Sequence, residues 1–84
     1  MSNEQGYNGY SNYQTWNVAL WIFNEEGLYR YWIERQHEDN LPRELQDWIE
    51  ENTPEVTGLY ADILGHALGM VDWYEVAEAI REAE

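Results

Sequence analysis

The stretch Asn40 to Glu51, NLPRELQDWIEE, decides the fold class. Its large apolar residues recur at intervals of four, three and one, which places them on a single face of an α-helix. An asparagine followed closely by Pro42 favours a helix start just before this pattern, because proline fits the first turn of a helix. We therefore predict an amphipathic helix whose buried face consists of Leu41, Leu45, Trp48 and Ile49.

Upstream of this helix, the sequence predicts two more. Thr15 is a suitable N-cap for a helix over residues 16–23, which is apolar nearly all round and is therefore expected to lie centrally. Asn24 is expected to end that helix and to cap the second one. One face of the second helix is predicted to carry Leu28, Tyr31, Trp32 and Arg35.

Downstream, two further helices are predicted. Thr53 and Pro54 repeat the signal for a helix start, and Gly69 ends this fourth helix. Asp72 and Glu75 form a capping box, in which each side chain bonds the other residue's amide, and they open a fifth helix. The inward residues are expected to be Val56, Leu59, Tyr60, Ile63, Leu64, Ala67 and Leu68 on the fourth helix and Trp73, Val76, Ala77 and Ile80 on the fifth.

These five helices predict an all-α protein, a compact irregular bundle of about five short helices. A chain of 84 residues without cysteine is expected to form one domain whose core depends on its five Trp, seven Tyr and one Phe. Residues 1–11, rich in Asn, Gln, Gly, Ser and Tyr, are predicted to be a flexible arm. Residues 12–84 are predicted to be the single helical domain.

The charge is far from balanced. Seventeen acidic residues face four arginines and no lysine, so the formal net charge is −13. Solubility requires only about 2–8 charges on a small domain, and the excess repels itself. This charge argues against direct binding to nucleic acid or to an anionic membrane and favours a basic protein partner. Without a membrane span of about 20 apolar residues or a secretory signal, the expected location is the cytoplasm.

The sequence does not indicate catalysis or a metal site. Ser2 and Ser11 lie in the predicted arm, and no nucleophile is placed beside a base with a third group to orient it. Asp62 and His66 are one turn apart, and His37 is followed by two acids, but zinc requires three or four ligands. We therefore expect neither an enzyme nor a bound cofactor or metal.

Acidic residues recur at helical spacing on the third and fifth predicted helices. Carboxylates three and four residues apart lie about 5–6 Å from one another, which is broadly similar to the separation of phosphates along a DNA strand. An ordinary solvated helix face has the same pattern, so each ladder alone leaves both interpretations open. The candidate partner-binding residues are Glu44, Asp47, Glu50, Glu51, Glu55, Glu75, Glu78 and Glu82.

The segment Asn12 to Ile22, NYQTWNVALWI, followed by NEEG at residues 24–27, resembles a small family encoded by phages, archaeal viruses and plasmids. The stretch GLYADIL at residues 58–64 and VDW at residues 71–73 are also similar to that family. Residues 60–63, YADI, also resemble part of a phage antirestriction DNA mimic. The family lacks an assigned function, so the resemblance implies a mobile-element origin rather than a mechanism.

Together these features suggest a mobile-element accessory protein that acts in the host cytoplasm. It is expected to bind and inhibit a basic, nucleic-acid-binding host defence protein, a restriction or CRISPR component, by acidic DNA mimicry. One alternative is a protein-interaction module of a phage or halophilic virus without inhibitory role, which binds through Tyr7, Tyr10 and Tyr13. A second is an ordinary halophilic domain whose acidity reflects a salty cytoplasm.

Overall fold

The computed structural model describes residues 7–83, which form five α-helices joined by short connections. The described residues contain no β-strand, only an isolated bridge between Tyr7 and Tyr10. The predicted all-α class is therefore confirmed. The helices are α1 (Tyr13–Asn24), α2 (Glu26–Ile33), α3 (Leu41–Glu51), α4 (Gly58–Gly69) and α5 (Trp73–Glu82).

Helix α5 lies at the centre and contacts α1, α2 and α3. Its four predicted inward residues are all buried, and the predicted face of α3 packs onto them, with Trp48 and Ile49 partly buried at the edge. Both predicted faces are confirmed. The buried apolar cluster consists of Ile22, Trp32, Leu41, Leu45, Val71, Trp73, Val76, Ala77 and Ile80.

The first two helix starts differ from the prediction. Asn12, not Thr15, caps α1, since the Asn12 side chain accepts a hydrogen bond of 2.8 Å from the Thr15 amide. Glu25, not Asn24, caps α2 by accepting from the amide of Leu28 at 3.4 Å. Both predictions chose a plausible capping residue at the wrong position, because extended backbone precedes each helix at Asn12 and Glu25 instead.

Helix α1 is also less central than predicted. Ala19 and Ile22 are buried, but Leu20 is exposed and the residue beside it, Trp21, is 63% exposed. The helix contacts α2 and α5. Those neighbours cover one side of α1, so its apolar residues exceed the surface that the bundle can cover.

Helix α4 departs most from the prediction. It begins at Gly58, after Thr57, rather than at Thr53 and Pro54, and none of its residues is buried. Leu64, Ala67 and Leu68 are half-buried, whereas Leu59 and Tyr60 are 67% and 70% exposed. Val56 and Ile63, also expected inside, are exposed. The faces of α5 that could receive α4 are already covered by α1, α2 and α3.

Instead of packing closely on the bundle, α4 borders an open groove. A cavity of about 310 Å³ separates its Gly65, Leu68 and Gly69 from Gln46 and Glu50 of α3. No helix within residues 7–83 combines the length and the apolar character needed to cross a membrane.

Both ends of α5 are bonded to distant parts of the chain. At its start, the Asp72 amide donates to Thr15 Oγ1 at 2.9 Å. At its end, the buried Gln36 Nε2 donates to the carbonyls of Ile80 and Ala83 at 2.8 and 3.1 Å. Arg81 in turn donates to the Gln36 carbonyl at 3.3 Å. The last carbonyls of a helix lack their usual amide partners four residues on. Here Gln36 donates to two of them, and the Ile80 carbonyl also accepts from the Ala83 amide at 3.2 Å.

Replacing Thr15 by valine should destabilise the protein. The side chain is fully buried, so valine keeps its shape but leaves the Asp72 amide without its acceptor. Because this hydrogen bond is only partly buried, we expect a loss near the lower end of the about 1–3 kcal/mol that an unpaired buried donor costs, and urea unfolding of the full chain would measure it. The matched control is Thr57→Val, an exposed residue whose side chain makes no cap hydrogen bond and should change stability by less than about 0.5 kcal/mol. Equal losses would show that the Thr15 hydroxyl does not join α1 to α5.

Candidate functional site

The acidic residues of α3 point away from the core because the helix is amphipathic. Leu41 and Leu45 are fully buried, which turns the positions between them toward solvent. Glu44 is half-buried, and the other predicted acids of this segment are exposed. These are Asp47, Glu50 and Glu51 on the helix and Glu55 after it.

Two of these acids have neighbours on α3 itself. Arg43 Nε lies 3.4 Å from Asp47 Oδ1, one turn away, and both side chains are exposed. Gln46 Nε2 donates to Glu50 Oε2 at 3.1 Å. An exposed ion pair of this kind contributes little to stability, so Asp47 is partly neutralised rather than locked in place.

Glu44 pairs with another acid. A hydrogen bond to the Glu38 carboxyl, together with desolvation and repulsion by Glu38, raises the pKa of Glu44, and the nearby Arg35 opposes the shift. The connection between α2 and α3 therefore adds Glu38 to this end of the acidic ladder, although helical spacing alone does not place it there.

The acids of α5 lie on the side of the helix that faces away from the buried Val76 and Ile80. Glu78 and Glu82 are exposed, and Glu75 is half-buried. Asp72 caps the helix as predicted, accepting from the Glu75 amide at 3.2 Å. The reciprocal half of the capping box is wrong, because the Asp72 amide donates to Thr15 instead.

The Glu75 carboxylate is used to hold the N-terminal segment. Its Oε1 accepts from both the amide and the hydroxyl of Ser11, at 3.0 and 2.7 Å. Burial, and then the charge of Glu75, raise the pKa of Tyr10. Glu75 therefore has a structural role that its place in the acidic ladder did not suggest.

The two ladders border different cavities. A shallow cavity of about 340 Å³ brings all three predicted acids of α5 together with the turn at residues 8–10. Glu50 and Glu55 line another cavity of about 340 Å³, beside the apolar residues of α4. The acidic surface thus consists of two patches on helices α3 and α5, which contact each other through their buried faces.

Two of the three tyrosines considered as an alternative binding surface form an aromatic cluster, and the third lies apart from them. Tyr7 and Tyr13 contact each other and Trp16, with ring centroids 5.0 to 5.6 Å apart. They are 41% and 49% exposed, whereas Tyr10 lies half-buried in the wall of the α5 cavity. Trp16 had been assigned only to the first helix, so its part in this cluster was missed.

Neither group of side chains considered for metal binding gathers a set of ligands in the described residues. Asp62 and His66 are exposed on α4. His37 and the two acids that follow it are exposed in the connection between α2 and α3. Among the described residues, no three His, Asp or Glu side chains form a group that could hold an ion.

Comparison with known proteins gives a family but no relative of known activity. Residues 3–84 match the model of a family of unknown function (DUF7249). No curated protein and no solved structure matches the chain.

Replacing Glu44 by glutamine should stabilise the protein at neutral pH. Because the folded-state pKa of this acid is raised, its protonated form favours the fold below the ordinary pKa of about 4.3. That contribution is lost as the pH rises through the raised value, and the charged Glu44 then faces the Glu38 carboxylate. Thermal melts at pH 7 should show a higher Tm for Glu44→Gln than for wild type.

The advantage of Glu44→Gln should shrink at about pH 3.5, where the Glu44 carboxyl of wild type is largely protonated and uncharged. Glu34→Gln is the matched control, since it removes a charge that lies 3.9 Å from Arg35 rather than beside an acid. It should not raise the Tm at pH 7. A gain of equal size in both variants would assign the effect to net charge instead of to the pair with Glu38.

Proposed function

We propose that this chain, which belongs to the DUF7249 family of unknown function, binds a basic, nucleic-acid-binding protein. By binding, it would block the nucleic-acid site of that protein. It acts by binding rather than by catalysis. The contact residues are the acids of the α3 patch, with Glu55, and those of the α5 patch. The acids of both patches would take the place of phosphates in the partner's site.

One observation carries this proposal: the acids of the two patches are largely left without cations. Within residues 7–83, Asp47 is the only one of the eight candidate acids with an arginine nitrogen within 4.0 Å. Arg30 pairs with Glu26 of α2 and Arg35 with Glu34, the residue that follows α2. Arg35 also lies close enough to Glu44 to act on its pKa, but no arginine nitrogen of the described residues is within 4.0 Å of that carboxylate. Arg81 donates to the backbone carbonyls of Gln36 and Glu38.

Carboxylates at this spacing without neighbouring cations destabilise the free protein, and a partner that binds them would offset this cost. Like charges three or four residues apart weaken a helix, and a charge of −13 repels itself across the whole domain. A basic groove that normally follows phosphates would relieve that repulsion on binding. The summed field of both patches would also accelerate association with such a groove at low salt.

The resemblance of the N-terminal motif suggests a class of partner. The N-terminal motif at residues 12–22 resembles proteins of phages, archaeal viruses and plasmids, whose small acidic proteins would meet host defences in the host cytoplasm. We therefore place the partner among restriction or CRISPR components and expect its inhibition to be of the anti-restriction or anti-CRISPR type. Direct binding to nucleic acid is not part of the proposal, because the acidic surface repels phosphates.

A second candidate function rests on the aromatic cluster of Tyr7, Tyr13 and Trp16. Aromatic side chains are enriched at protein interfaces, where they contribute apolar area together with a polar group. A partner recognised through these rings would bind without competing with nucleic acid. In that case the chain would be an interaction module without inhibitory role.

The proposal predicts that removing acids from the patches weakens binding more than removing acids elsewhere. The test variant is Glu51→Gln with Glu78→Gln and Glu82→Gln. The control is Glu26→Gln with Glu34→Gln and Asp39→Asn, which removes three charges from the α2 side of the molecule. Both change the net charge equally, so a difference between them depends on position.

The immobilised chain would be exposed to a nuclease-treated bacterial lysate, and retained proteins would be eluted with denaturant, identified and produced separately. Each eluted protein would then be titrated with wild type and both variants at two salt concentrations. We expect weaker binding by the test variant, mainly through slower association at low salt, and competition by DNA. Equal binding by the two variants, without competition by DNA, would refute mimicry and favour the aromatic cluster.

A further inference from the structure

Helix α4 presents an apolar face that no described part of the chain covers. Leu59, Ile63 and Met70 lie along one side of the helix and its C-terminal cap, and Tyr60 lies beside them. Leu59, Tyr60 and Ile63 are all more than half exposed, and Val56 extends the exposed surface before the helix. The opposite side of the helix, with Leu64 and Leu68, faces the groove toward α3.

This face also carries little charge. Residues 56–71 contain one acid, Asp62, and one histidine, His66, although the whole chain has seventeen acids. Both residues are exposed on the same side of α4 as Leu59 and Ile63. Two copies of a strongly acidic chain would repel each other less where this face meets its equivalent than where their acidic patches meet.

Glycines leave room on the surface of this helix. A methyl group built on Gly65 or on Gly69 would meet no atom within 4 Å, so the packing within the chain requires neither glycine. Glycine in a helix is less favourable than alanine. Both glycines line the groove toward α3, and Gly69, three residues after His66, also borders the apolar face, where a small residue allows another helix to approach closely.

We propose that α4 is a dimerisation helix, which pairs with α4 of a second copy of this chain in an antiparallel, two-fold arrangement. A two-fold axis level with residue 64 places Asp62 opposite His66 of the second copy and Leu59 opposite its Gly69. The same contacts are then made twice, as an isologous interface requires. The one acid and the one histidine of the segment become partners, and a large side chain lies against a small one.

The exposed apolar area suits this occupant. A large side chain exposes about 150–250 Å² when nothing covers it. At their exposed fractions, the five apolar side chains of this surface together present roughly 500 Å². They are Val56, Leu59, Tyr60, Ile63 and Met70. A standard interface buries about 800 Å² on each partner, of which about 65% is apolar in homodimers. The face of α4 therefore supplies most of the apolar part of such an interface.

Other occupants fit this surface less well. The basic partner of the proposed function would seek several carboxylates, and α4 contains a single one. Residues 1–6, MSNEQG, are polar apart from Met1, so their composition does not match an apolar face. A second copy satisfies both the low charge and the apolar character of α4.

The oligomeric state of the full chain tests this inference and does not depend on the proposed function. Sedimentation equilibrium at up to about 100 µM should show a dimer. Added salt should strengthen the dimer because it screens repulsion between two acidic copies, whereas it should weaken binding to a basic partner. A monomer throughout this range, at low and at high salt, would overturn the inference and leave the proposed function unaffected.

Two tyrosines provide a matched test of the surface. Tyr60 on α4 and Tyr74 on α5 are 70% and 77% exposed, and each lies in the first turn of its helix. Tyr60→Glu should weaken self-association by about tenfold, since it places like charges at the interface, and Tyr74→Glu should not. Both should keep the helical CD spectrum of wild type. Equal effects of the two changes would locate the interface elsewhere and refute the inference.

Cysteine substitutions test the antiparallel register, because the chain has no cysteine of its own. Near the axis, the two copies of residue 63 are separated by about 3 Å along the helices, whereas the two copies of residue 59 are about 15 Å apart. A disulfide requires Cα atoms within about 7 Å. Ile63→Cys should therefore form a disulfide-linked dimer on oxidation, and Leu59→Cys should remain unlinked. Efficient linkage of both variants would indicate parallel helices and overturn the two-fold antiparallel arrangement.

Discussion

The fold depends on the hydrogen bonds that hold α5 at both ends. At its start, the backbone of Asp72 donates to the buried hydroxyl of Thr15 on α1. At its end, the buried Gln36, between α2 and α3, donates to two carbonyls. These side chains bond backbone groups that a helix leaves unpaired, and thereby fix α5 relative to the elements that pack on it. The apolar residues between the two ends can then fill a single core.

The sequence allowed the amphipathic helices to be predicted more reliably than their neighbours. On α3 and α5 the apolar residues have a narrow helical spacing, so only one face could be buried, and the structure buries it. On α1 and α4 apolar residues surround the helix, and periodicity cannot say which of them the bundle will cover. The exposure of Trp21 and Leu59 was therefore beyond such an argument, because it depends on how many helices fit around α5.

The candidate site shows the same division between local and long-range information. The outward position of the acids follows from the apolar stripe on the same helix, so it could be predicted. The use of Glu75 could not, since its partner Ser11 is 64 residues away. A capping box was the best local interpretation of Asp72 and Glu75. It failed in its second half because a residue from α1 supplied the acceptor, which freed the Glu75 carboxylate for another contact.

The central position of α5 also bears on the biosynthesis of the protein. Helices α1, α2 and α3 are made first, yet α3 and part of α1 pack against residues 73–82. During translation, Ile22 and Leu45 therefore remain without their contacts to α5 until that helix has left the ribosome. The native core can form only after that point, and the aromatic residues of the nascent chain stay accessible to chaperones in the meantime.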